Sequence, residues 1–150
     1  MYTDNPSMFS KSCEYGLRAV IFIAQQTTKN NKVSLTTVSE EIDSPQAFTA
    51  KVLQQLTKNN IVKSIKGPYG GFVIEDHKMD TKLSEVVSVL DGDSIYTGCG
   101  LGLKQCDAKS PCPLHNKFVA IRNDLRNMLE NNSLRSLAAD MNADLAILKR

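Results

Sequence analysis

Residues 34–58, SLTTVSEEIDSPQAFTAKVLQQLTK, and residues 61–74, IVKSIKGPYGGFVI, decide the fold. Ser34 can cap a helix whose inner face is Leu35, Val38 and Ile42, and Asp43-Ser44-Pro45 then breaks the pattern. Ser44 before Pro45 reads as N-cap and first helical residue, because proline has no N–H to lose at that position. The spacing predicts a further helix from about Pro45 to Lys58 that buries Phe48, Val52, Leu53 and Leu56. Helix, short turn and capped helix make a helix-turn-helix. Ile61, Val62 and Ile65, a Gly/Pro turn, and Phe72-Val73-Ile74 predict a β-hairpin. After a helix-turn-helix, such a hairpin is a wing.

Upstream, Phe9, Cys13, Leu17, Val20, Ile21 and Ala24 recur at spacings of three and four, one face of a helix from Phe9 to about Gln26. Cys13 belongs to that apolar face and reads as a core residue. Downstream, Leu83 to Leu90 predicts a short helix with Val86, Val87 and Leu90 inward. Leu114, Phe118, Ile121, Leu125 and Met128 form a near-heptad seam suited to packing against another helix. Ser133 can cap a last helix carrying Leu134, Leu137, Met141, Leu145 and Leu148.

Between these helices, residues 91–113 hold four glycines, two prolines and three cysteines, with no helical or strand period. A structureless stretch of that length needs something else to order it. The cysteines are spaced Cys99-x6-Cys106-x5-Cys112, followed by His115. Thiolate and imidazole ligands suit an iron–sulfur cluster or zinc. Zinc sites usually carry ligand pairs two to four residues apart. Only Cys112 and His115 are that close, so the wide gaps favour a cluster over zinc, and a thiol switch is the third reading. His77, in a polar linker, reads as exposed.

The net charge of +2 does not by itself reveal a nucleic-acid partner; its distribution says more. From Ser44 to Ile74 there is no Asp or Glu, while Lys51, Lys58, Lys63 and Lys66 are present. Phosphate contact requires such a surface. Gln46 and Thr49 are expected to point outward and meet base edges in the major groove, with Lys51 and Lys58 near phosphates and Lys66 at a minor groove. Ser44, at the helix start, and Gly67 and Tyr69, in the wing turn, complete the expected contacts.

The polar start of the chain and the absence of a long apolar run predict no membrane span and a cytoplasmic protein. In a reducing compartment, clustered cysteines more often bind metal than form disulfides. No grouping of Ser, His and Asp, no phosphate-binding glycine loop and only two histidines leave little basis for an enzyme.

The order of these pieces resembles the Rrf-type family of winged-helix bacterial regulators, whose members include an iron–sulfur assembly regulator and a nitric-oxide sensor. The resemblance is carried by Ser10-Lys11 and Glu14-Tyr15-Gly16-Leu17-Arg18-Ala19, by residues 65–72 of the wing, and by the loop ending Cys112-Pro113-Leu114-His115. It implies a mainly α fold with a small β-hairpin wing, a winged helix-turn-helix plus a long dimerisation helix. Residues 1–80 would form the DNA-binding domain, and residues 81–150 the cluster-binding loop and helical dimerisation region. The resemblance further implies a homodimer on a double-stranded DNA operator and an iron–sulfur cluster ligated by Cys99, Cys106 and Cys112. In some members the fourth ligand is a histidine just after the third cysteine, which falls on His115, with a [2Fe-2S] cluster. In others it is an acidic residue of the partner subunit's first helix, which falls on Glu14, with a [4Fe-4S] cluster. The first alternative is favoured. The chain departs from the family in having Lys66 where relatives often carry arginine, Ala50 where one branch carries glutamate, and one extra residue between the first two cysteines. The alternative reading is a winged-helix regulator with a structural zinc or no metal, responding to a small molecule, thiol oxidation or a partner protein.

Overall fold

The computed structural model describes residues 8–97, 101, 103, 107–144, 147 and 148. Its element order is α1 (Lys11–Thr28), α2 (Leu35–Glu41), α3 (Gln46–Lys58), β1 (Lys63–Ile65), β2 (Gly71–Val73), α4 (Leu83–Asp91), α5 (Ser94–Thr97), α6 (His115–Glu130) and α7 (Leu134–Asn142). The expected mainly helical fold with a two-stranded wing is what forms.

The starts of the first two helices have a chemical reason. Ser10 and Ser34 occupy the N-caps of α1 and α2, and their hydroxyls accept from Cys13 N–H and Thr37 N–H, both at 3.1 Å. Pro45, rather than Ser44, is the N-cap residue of α3, one position later than the sequence suggested. β1 and β2 pair antiparallel, Ser64 facing Phe72, and Val33 adds a single bridge to Phe72. The apolar Ile61 and Val62 precede β1 instead of belonging to it, and both are buried.

The main core is built around α1, which packs against α3, α4 and α7. Val20, Ile23, Val52, Leu53, Leu56 and Ile74 meet there with Leu134 and Ala138 from the far end of the chain. α7 is also tied by polar contacts. Arg135 donates to Asp80 at 3.0 Å and to the Asp76 carbonyl at 3.0 Å, and Asn142 Nδ2 donates to Thr28 Oγ1 at 2.9 Å. A second, smaller core joins Cys13 and Val87 to Leu125 and Leu129 of α6.

Three expectations are corrected here. Residues 91–113 do contain regular structure, because α5 places Ile95 and Tyr96 on the second core. A single turn is too short to show a period in sequence. The α6 seam divides: Leu125 faces inward with Leu129, while Leu114, Ile121 and Met128 are 39 %, 57 % and 47 % exposed. The last helix ends at Asn142, so Leu148 packs on the main core from beyond it. Leu145 lies outside the described residues.

Candidate functional site

The first helix explains how α3 is held. A Cβ on Gly16 would stand 2.2 Å from Leu90 Cδ1 and 3.0 Å from Val52 Cγ1, so the bare backbone lets α1, α3 and α4 close together. Tyr15 meets the Phe48 ring edge-on at 5.3 Å, and the Arg18 guanidinium lies 4.8 Å from the Tyr15 ring centroid. Arg18 Nη1 also donates to the Ile42 carbonyl at 3.0 Å, fixing the turn before α3. The residues Glu14 to Ala19 thus include the clamp that sets the recognition helix.

On α3, Gln46, Lys51 and Lys58 are exposed. Thr49 is not. It is 1 % exposed, donates to the Pro45 carbonyl at 2.9 Å and shares a short hydrogen bond with Ser44. Its hydroxyl is spent on closing the first turn of α3 and cannot reach a base edge, and half-buried Ser44 is drawn into the same turn. A further polar residue that points outward is Gln54, eight residues after Gln46 and lining a groove of about 570 Å³ with Ala50, Lys58, Ser64 and Lys66. Its i, i+4, i+8 spacing from Gln46 through Ala50 was the available signal.

The wing carries Lys66, Gly67 and Tyr69 in the open, Tyr69 being 89 % exposed. Gly67 adopts φ 105°, which an L side chain rarely takes. Lys32, from outside the acid-free stretch, donates to the Tyr69 carbonyl at 3.4 Å and adds a charge beside the wing. The acid-free stretch therefore folds into one surface of recognition helix, groove and wing.

At the other candidate site, Cys112 is half-buried, and its carbonyl accepts from His115 N–H at 3.0 Å, placing the pair within one turn at the start of α6. Cys99 and Cys106 lie outside the described residues. Among the described residues no three His, Cys, Asp or Glu side chains form a metal-sized group. Glu14 sits in the first turn of α1 with Lys11 Nζ 3.7 Å away. Cys13 is fully buried, and desolvation, reinforced by the charge of Asp91 and a hydrogen bond to it, pushes its thiol up to about 12. It stays protonated at neutral pH, in keeping with a core role. His77 is exposed in a 3-10 turn, Asp76–Lys78, as expected.

The Rrf2 family model, described as an iron-dependent transcriptional regulator, matches residues 9–140. The chain belongs to the Rrf2 family. An HTH-type transcriptional regulator of Aquifex aeolicus is 24 % identical over 132 residues, 87 % of this chain and 90 % of that one. The HTH-type transcriptional regulator IscR of Escherichia coli is 25 % identical, covering 82 % of this chain and 75 % of its own. Among solved structures, CymR, the global cysteine regulator of B. subtilis, superposes with a TM-score of 0.70 at 21 % identity, covering 87 % of this chain and 95 % of that one. T. potens IscR superposes with a TM-score of 0.67 at 23 % identity, covering 91 % and 87 %. This Rrf2-family chain is accordingly a transcriptional regulator and not an enzyme.

Proposed function

We propose that the protein is a homodimeric, cytoplasmic regulator that binds a DNA operator and adjusts that binding to the state of an iron–sulfur cluster. Residues 1–80 supply the DNA-reading half, and residues 81–150 supply sensing and dimerisation. The observation that carries the DNA reading is the single acid-free surface of α3 and wing. Gln46 and Gln54 face the base edges, where an amide can pair bidentately with adenine. Lys51, Lys58 and Lys66 meet phosphates, and Tyr69 and Gly67 form the tip that approaches the minor groove. Each lysine that neutralises one phosphate adds about 0.9 to the slope of log affinity against log salt. In a homodimer Lys66→Ala removes one such contact from each protomer, so it is expected to lower the slope by about 1.8 and to weaken all sequences alike. A titration of operator binding across salt concentrations measures it, and an unchanged slope removes Lys66 from the interface.

The cluster reading rests on donor chemistry. Cys112 offers a half-buried sulfur one turn from the His115 imidazole, and Cys99 and Cys106 supply the other thiolates. That set fits a [2Fe-2S] centre with His115 as fourth ligand; Glu14 of the partner subunit is the alternative ligand, with a [4Fe-4S] centre. The description of the family as iron-dependent supports the same reading. When bound, the centre supplies reactivity toward oxygen, nitric oxide or iron limitation. The chain's own part is to hold four ligands on residues 99–115, next to α6. Dimerisation falls to the face of α6 that carries Leu114, Ile121 and Met128, seven residues apart and uncovered in a single chain.

The test is anaerobic purification with an absorption spectrum and iron and sulfide counts. A brown protein that loses its visible absorbance on Cys112→Ala while staying dimeric is expected. A colourless protein with one zinc per chain overturns the cluster and leaves the zinc-site regulator in its place.

A further inference from the structure

Donors from the start of α1 converge on one carboxylate at the entrance to the cysteine segment. Ser10 N–H donates to Asp91 Oδ2 at 3.0 Å and the Ser10 hydroxyl donates to Oδ1, while the buried Cys13 thiol lies near enough to the same carboxylate to feel its charge. Ser10 is at the same time the N-cap of α1. Asp91 is the last residue of α4, and Gly92, at φ 71°, turns the chain from it into α5. The neighbouring Leu90 lies against Gly16, where a Cβ would meet it at 2.2 Å. Past the turn, Ile95 and Tyr96 close over Cys13 on the second core, with the Arg126 guanidinium 4.4 Å from the Tyr96 ring centroid.

The stretch leading into the cysteine segment is thus fastened to the first turn of α1. A few residues further on, that helix sets α3 through Tyr15, Gly16 and Arg18. We propose that Asp91 is a positioning residue that couples the cysteine segment to the recognition helix by holding the start of that segment against α1. The inference rests on the reading of the cysteine segment as the sensor. The residue type matters. A carboxylate accepts from both Ser10 donors, one on each oxygen, without presenting a hydrogen of its own, whereas an amide offers one oxygen and turns N–H groups toward a donor. A change in the cysteine segment that pulls on Gly92 therefore releases Ser10 and Cys13 together, and the first turn of α1 loses its tie.

The experiment compares full-length wild-type protein, Asp91→Asn and Ser10→Gly. Ser10→Gly removes the hydroxyl but keeps a residue acceptable at an N-cap. Three readouts are taken: the rate at which N-ethylmaleimide alkylates Cys13, followed by peptide mass; the ratio of operator affinities with cysteines free and with iron and sulfide reconstituted; and the thermal midpoint. In Asp91→Asn, Cys13 alkylation is expected to rise roughly tenfold or more, as local opening requires, and the affinity ratio to fall toward one. Ser10→Gly shifts the first two readouts in the same direction by less. Wild-type Cys13 protection with a full affinity ratio in Asp91→Asn overturns the proposal, as does lost thermal stability with an unchanged ratio, which marks a structural tie alone. A wild-type protein whose two preparations bind the operator equally well refutes the sensing reading itself, and the coupling falls with it. That failure shows in the wild type, whereas failure of the coupling alone shows only in the variants.

Discussion

Gly70→Ala is expected to lower operator affinity at least tenfold while leaving the helical core folded. A Cβ at this position would stand 1.9 Å from the Ile65 carbonyl oxygen and 3.0 Å from that of Gly67. Both obstacles are backbone. Gly67 O accepts from Gly70 N–H at 2.9 Å to close the turn, and Ile65 pairs with Gly71 in the last rung of the ladder. A methyl group can be admitted only by opening that rung, and strands of three residues have little ladder to spare. Lys66 and Tyr69 would then lose their placement. The main core lies on the helices, so the thermal midpoint should move by only a few degrees, the shift expected of about 1 kcal/mol. Gly67→Ala is the matched comparison, because its positive φ is strained but nothing stands within 4 Å of its Cβ; its effect should be smaller. Fluorescence anisotropy on a labelled operator and a circular-dichroism melt measure both quantities. Wild-type affinity in Gly70→Ala would take the wing out of the interface.

The second large effect is expected from Ile121→Asp. Ile121 is the most exposed of the three apolar residues repeating every seventh position along α6, and it stands between Leu114 and Met128. If this face meets its twin across a two-fold axis, an aspartate there brings two carboxylates into an apolar contact. Burying such unpaired charge costs several kcal/mol. The variant should sediment as a monomer with native helicity. Operator affinity should drop on the order of a hundredfold, because each recognition helix then engages its half-site without the effective concentration that a dimer supplies. A dimeric Ile121→Asp protein places the interface elsewhere.

Much of this was legible from residue spacing, and the failures share a cause. Ser34 capped its helix as read, and the Gly/Pro turn formed the wing, because caps and turns are decided within a few residues. Thr49 departs from the expectation because a threonine on the first turn of a helix can face water or fold back to the carbonyl four residues earlier. Only the surrounding turn, through Ser44, shows which. The spacing of Gln54 from Gln46 through Ala50 puts it on the same helix face, but only the wing, which closes the groove beside it, singles it out among the exposed polar residues of α3. The α6 seam read as one stripe because periodicity cannot say which of two partners each apolar residue serves. Leu125 answers to Cys13 and Val87 within the same chain, and Ile121 does not.

The packing of α7 against α1 has a consequence for how the protein comes into being. Leu134 and Ala138 complete the core around α1, and Arg135 and Asn142 fasten α7 to Asp76, Asp80 and Thr28. Residues 1–80, the half proposed to read DNA, are translated first yet finished last. While α7 is still inside the ribosome, α1 should lack the packing that steadies α3 against it, so a half-made regulator is kept from occupying operators that it could not release on cue.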